Sequence, residues 1–295
     1  MSSSSDEIRS AILDTVWTIW AEAGVSGWRR ASRATAIDIE PLIVFTTHVG
    51  QADPRLRDEA TDWCIRYGQL VSKVRLKNVL KLGLAGASFD EFAATVNAYS
   101  TLSWPTTASR PRRFSPSLKS KADLSRATLL QLRARAIFGV AARAEILALY
   151  AMEPAAILTL SQLAERIHFG RRITVDAAEA LSAARILRPV EGVPARAYAL
   201  LKSDELRALL APMPERTILW TDVFVVLSAV WDIALSNEKD QMLRAVDTAK
   251  RLTDVDRSVF RASLPHVPKI DPTEDGWTRF TEWARLTVRQ ISAAL

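Results

Sequence analysis

The sequence predicts a mainly α-helical protein. A central domain carrying one small β-hairpin is flanked by helical domains on its N- and C-terminal sides. Apolar residues recur at three- and four-residue steps over most of the chain, the period of a helix with one buried face. Extended character is confined to two short runs between residues 187 and 200. Capping residues, prolines and glycines bracket the periodic segments. The chain has 295 residues, 48% hydrophobic and 24% charged. That composition is globular and excludes wholesale disorder or a collagen-like fibre.

Residues 1–102 read as an all-helical domain. Ile8, Ile12, Val16, Ile19 and Ala23 line one face of a helix from Asp6 to Gly24. Ser4 and Glu7 have capping-box spacing at its start, and Gly24 and Gly27 stop it. A second helix spans Glu40–Val49, with Pro41 in its first turn. In the third, Asp53–Tyr67, Asp53 is the cap, Pro54 takes the first helical position and Gly68 terminates. Leu70–Lys81 is a fourth, and Phe89–Tyr99, opened by a Ser88 cap with Glu91 three residues on, is a fifth.

Residues 103–122 break the pattern. Ser103–Lys121 holds Pro105, Pro111 and Pro116, many Ser and Thr, and five basic residues. It is expected to be a linker or mobile loop, because it has too little apolar area to offset the entropy of ordering.

The central domain, 123–211, holds helices at Leu124–Phe138, Ala141–Met152, Thr159–Ile167 and Arg171–Ala184. His168-Phe169-Gly170 is a turn between the last two. Strands at Leu187–Val190 and Ala195–Leu200 form a hairpin across Glu191-Gly192-Val193-Pro194. Ser203–Leu210 is helical again. After Pro212 and Pro214 the C-terminal domain, 212–295, reads as four helices: Thr217–Leu235, Lys239–Leu252, Asp256–Leu264 and Glu274–Leu295.

Several chemistries find no support. No apolar run approaches the roughly 18 residues of a membrane span, and the N-terminus has no secretory pattern, so a cytoplasmic protein is expected. Cys64 is the single cysteine, which excludes an intrachain disulfide framework, and it reads as a core residue. His48, His168 and His266 are scattered, so no metal is expected; His168 reads as a packing or phosphate-contact residue. There is no phosphate-binding glycine loop and no coherent nucleophile, base and oxyanion donor, so neither a cofactor nor an enzyme activity is expected. Most of the nine tryptophans fall on helical stripes and read as core; Trp17 and Trp20 are alternatively a partner surface.

The net charge is +6, and it is local. Between Thr101 and Ala144 nine Lys or Arg face one acid, Asp123, so the remainder of the chain sums to −2.

The order helix, short helix, tight turn, longer helix, two-stranded hairpin is that of a winged helix-turn-helix. The core, LSQLAERIHFGRRITVDAAEALSAARIL, resembles the bacterial winged-helix transcription regulators of the ArsR and MarR type, with a Leu-Ala pair (Leu163-Ala164) followed after a turn by a recognition helix. The resemblance covers at most 124–210. It implies double-stranded DNA as partner and a homodimer on a two-fold operator. It also implies a glycine at the end of the recognition helix, where Arg185 stands. A major groove about 12 Å wide admits one helix, and residues at its start reach base edges. The candidate DNA contacts are therefore Gln162, Arg171, Arg172, Ile173, Asp176 and Ala177, with Arg196 on the wing and Arg112, Arg113 and Arg143 from the basic stretch. The expected function is a DNA-binding transcriptional regulator. The alternative is a protein-interaction module, antitoxin-like, with a degenerate winged helix; the wing favours it, since Glu191 and Arg196 nearly cancel.

Overall fold

The computed structural model describes residues 4–26, 35–84, 88–108, 110–192, 195–236, 240–271 and 274–295. Trp28, Gly27, Lys239 and the Val193-Pro194 tip of the hairpin lie outside them. The fold is mainly helical with one three-stranded antiparallel sheet.

The N-terminal helices are α1 (Ser4–Glu22), α2 (Ile39–Val49), α3 (Pro54–Tyr67), α4 (Lys73–Leu80) and α5 (Ser88–Ala98). The expected stripe of α1 is buried throughout, and Trp17 and Trp20 are buried with it, so they are core and not a partner surface. Ser4 and Glu7 do not form a capping box: α1 already includes Ser4, and both side chains receive Arg285. Asp53 caps α3 by accepting from the Leu56 amide at 3.0 Å, while its other oxygen accepts from Trp17 Nε1 at 2.7 Å. One carboxylate thus starts α3 and ties it to α1.

The central elements are α6 (Leu130–Phe138), α7 (Ala142–Met152), β1 (Ile157–Thr159), α8 (Leu160–Ile167), α9 (Arg171–Ala183), β2 (Leu187–Val190), β3 (Ala197–Leu200) and α10 (Ser203–Leu209). The sheet order is β1-β3-β2, with Leu158 opposite Tyr198 and Leu187 opposite Leu200. The C-terminal helices are α11 (Trp220–Leu235), α12 (Gln241–Arg261) and α13 (Glu274–Ala294). The two helices expected over 239–264 are one. No Gly or Pro interrupts α12, and its buried stripe of Ala245, Thr248, Leu252, Val255 and Val259 runs through the expected break.

Packing groups these helices differently from the sequence reading. The N- and C-terminal helices are not two flanking domains; α1–α5 and α11–α13 share one apolar core, with Phe45 of α2 stacked on Phe224 of α11. The second core lies among α7–α10 and the sheet. α6 and the turn before it serve both: Leu129 and Leu132 belong to the first, Leu130 and Ala134 to the second.

The described residues of 103–121 have no helix or strand, yet they are a strap fastened to α3 and α5, not a free linker. Asn97 exchanges two hydrogen bonds with the Trp104 backbone, and Trp104 is buried. The Asp62 carboxylate accepts from the amides of Ser117 and Leu118, both at 2.7 Å. The Lys121 amide donates to Gly24 O at 2.8 Å. At Gly24 φ is +102°, and a Cβ there would sit 2.1 Å from Lys121 O. Side-chain acceptors on neighbouring helices supply the ordering that the strap's own composition lacks. No helix among the described residues is long and apolar enough to cross a membrane.

Candidate nucleic-acid interface

The unit from α7 to β3 is built on small residues. Ala142, Ala144, Ala148 and Ala151 of α7 and Thr174, Ala177 and Ala178 of α9 are buried, so the helices approach closely without a void. Tyr150 donates to Tyr198 O at 2.7 Å, joining α7 to the sheet.

α8 opens on a capping box. Gln162 N donates to Thr159 Oγ1 at 3.2 Å and Thr159 N donates to Gln162 Oε1 at 2.8 Å. Gln162, expected at DNA, is exposed but its amide oxygen serves this cap. α8 ends on His168 at φ +54°, with Phe169 N donating to Ala164 O and His168 N to Glu165 O. α9 ends the same way. Arg185 sits at φ +55°, Ile186 N donates to Leu181 O and Arg185 N to Ser182 O. This is the paired closure in which a left-handed residue stops a helix, and it explains why a glycine was expected at 185.

Arg171, Arg172, Ile173 and Asp176 are exposed on the N-terminal half of α9. Among the described residues neither Arg171 nor Arg172 has an ion pair or side-chain hydrogen bond, and the amides of this first turn favour an anion. Ala177 is not on this face. It lies one turn from buried Thr174 and points into the core at 8% exposure. Arg196 is exposed, but it pairs with Glu179 of α9 at 2.7 Å and lies over the Tyr198 ring. The Arg196 charge is thus neutralised by the helix beside it. Arg143 is exposed at the start of α7. Two exposed cations were not foreseen, Arg185 at the end of α9 and Arg188 on β2. The signal for Arg188 was present, since it follows buried Leu187 in a strand and so takes the opposite face.

The basic stretch is not a free patch. Arg112 pairs with Asp58 at 2.6 Å, and its amide donates to Thr95 Oγ1. Arg113 is exposed beside it, in a shallow depression with Asp58, Glu59 and Asp62. Both therefore belong to the strap on α3 and α5, and none of their contacts is with α7–β3. Arg126 pairs with Glu22. Arg133 donates to the carbonyls of Leu124, Arg126, Leu210 and Pro212. Arg135 is buried between Glu40, at 2.6 Å, and Glu145, at 2.6 Å.

The turn before α9 is held by the larger core. Arg75 Nε donates to Ile167 O at 3.0 Å, and Asn78 Nδ2 donates to His168 O at 2.9 Å. His168 Nε2 meets Thr221 Oγ1 at 2.8 Å, and Arg261 of α12 pairs with Glu165 of α8. Arg75 is itself clamped by Asp38, at 2.6 and 2.7 Å, and by Glu40. Burial disfavours the charged form of Asp38, but the Arg75 guanidinium outweighs it and holds the carboxyl below the usual range. Burial, followed by the nearby Arg75 charge, pushes His168 down to about 4, so the ring is neutral at pH 7. His168 is thus a packing residue of the junction. Of the junction residues only His168 was singled out in the sequence; its partners come from three distant stretches.

No trio of His, Cys, Asp or Glu placed to hold a metal occurs among the described residues. Burial pushes the Cys64 thiol up. Comparison of the chain with protein-family models, with curated proteins and with solved structures gave no match.

Proposed function

We propose that residues 142–200 form a winged helix-turn-helix that binds double-stranded DNA through α9, and that the protein is a cytoplasmic transcriptional regulator. The observation that carries this reading is the pair Arg171 and Arg172, exposed and without intramolecular partners among the described residues, at the first turn of α9. The order helix, strand, helix, helix, hairpin with a β1-β3-β2 sheet supports it. Arginine there pairs bidentately with guanine or binds phosphate. Exposed Arg143, Arg185 and Arg188 add positive charge on the same unit. A regulator of this kind acts as a homodimer on a two-fold site.

The test is selection of duplexes from a random pool, followed by affinity measurement on the winner. Replacing Arg171 and Arg172 together by Ala abolishes selectivity and leaves stability within about 0.5 kcal/mol, since both are exposed. The logarithm of the binding constant falls with log salt by about 0.9 per phosphate contact. Retained selectivity in the double variant rejects the assignment of α9.

A second reading, a protein-interaction module, is favoured by one observation: Arg196 is paired with Glu179, so the hairpin offers no free cation there. A stoichiometric protein partner with no DNA retained at physiological salt decides for it.

A further inference from the structure

A helix in the major groove needs phosphate contacts beside it to fix its position on the duplex. The winged unit neutralises several of its own cations. On α8, Arg166 is paired with Glu153, and on the hairpin Arg196 is paired with Glu179. The strap's Arg112 and Arg113 lie against α3. α4 offers what these do not. It belongs to the larger core, yet it runs up to the start of α9: Arg75 Nε donates to Ile167 O at 3.0 Å and Asn78 Nδ2 to His168 O at 2.9 Å. Arg171 and Arg172 follow His168 by three and four residues, at most about 14 Å of chain. Lys77 and Lys81 stand one residue before Asn78 and three after it, and both are exposed. Lys81 Nζ reaches Asn78 Oδ1 at 3.4 Å, so a single amide side chain separates it from the His168 carbonyl. Neither lysine has an ion pair among the described residues. Lys73, one turn earlier, is tied to Ser103 Oγ at 2.6 Å and belongs to the strap.

We infer that Lys77 and Lys81 of α4 bind the phosphate backbone bordering the groove that α9 enters. The acids nearest the turn are already answered, Asp38 by Arg75 and Glu165 by Arg261, so the two lysines and the two arginines set the potential outside it. Their roles divide by chemistry. An ammonium meets a phosphate as a point charge and carries no sequence information, whereas a guanidinium pairs bidentately with a base edge. α4 thus supplies affinity and α9 supplies selectivity. The bonds from Arg75 and Asn78 to the turn fix the distance between the two, so the backbone clamp and the reading helix meet the duplex as one rigid surface. This inference rests on the reading of α9 as the DNA-binding helix.

The test titrates the full-length protein against a selected duplex and a scrambled one, by fluorescence anisotropy over a range of salt concentrations. Lys77→Ala with Lys81→Ala weakens both duplexes by the same factor, at least about fivefold at about 0.1 M salt, and lowers the salt slope by about 1.8. The preference between the duplexes and the melting temperature stay at their wild-type values, because both side chains are exposed and neither reads a base. Lys77→Arg with Lys81→Arg keeps the wild-type affinity and slope. Arg113→Ala with Lys119→Ala removes the same charge from exposed positions of the strap and changes affinity by less than about twofold. An unchanged slope in the lysine-to-alanine protein, or an equal loss from the strap pair, overturns the clamp and leaves α9 as the reading helix. A lost preference in the lysine-to-alanine protein overturns the division of roles. A wild-type protein that selects no duplex refutes the function assigned to α9 and the clamp together.

Discussion

Arg75 and Ile167 join the two cores: the guanidinium Nε donates to the last carbonyl of α8 at 3.0 Å, from a side chain that is almost completely buried. The same guanidinium answers Asp38 and Glu40. Arg75→Met leaves Asp38 without its guanidinium and Glu40 with Arg135 alone, and is expected to cost about 3 kcal/mol. Arg75→Lys recovers only part, because an ammonium lacks the planar fork that reaches both acids and the carbonyl together. Urea unfolding of the three proteins measures both.

His168 makes stability depend on pH. Above about pH 6.5 the ring is neutral in both folded and unfolded chains, and the shift has no effect. Below that the unfolded chain binds the proton first, so stability falls until about pH 4, where the folded ring also protonates. Burial and the Arg75 and Arg261 charges oppose protonation, while Asp38 and Glu40 favour it. The full loss is about 3 kcal/mol. His168→Asn, which tolerates the left-handed backbone, flattens the 6.5–4 limb relative to wild type in unfolding titrations.

Gly24→Ala tests the strap. Its positive φ and the 2.1 Å approach of a Cβ to Lys121 O both oppose a side chain. A loss of at least about 2 kcal/mol is expected, with faster proteolysis within 103–121. Unchanged melting and cleavage would show that the strap is not held at Gly24.

Arg185→Gly is expected to stabilise the protein by up to about 1 kcal/mol, because the left-handed conformation at 185 is strained for an arginine and free for glycine. The gain is read as a raised melting temperature. On the proposed function the same change weakens DNA binding, since it removes an exposed cation.

The sequence located most elements where a continuous buried stripe repeats along the chain. The strands flanking Glu191 and the cap at Asp53 were legible because their chemistry is local. β1 was missed because three residues carry no period, and its pairing partner lies some forty residues on. α12 was split because Asp254 and Asp256 interrupt the composition without interrupting the inward face. The junction was invisible. Arg133 and Arg135 were two of the nine cations between Thr101 and Ala144, and only the fold brings Glu40 to Arg135, across 95 positions. At the candidate site Arg171 and Arg172 are exposed at the start of α9, as the winged-helix resemblance implied, whereas Ala177 was misplaced by one residue, about 100° around the helix.

Leu129 and Leu130 are neighbours in the chain and lie in different cores. Neither lobe can lose its interior without pulling a stretch of the other's wall into water. Heating therefore melts the two lobes together as a single cooperative unit, with no stage at which one survives as an independent globule.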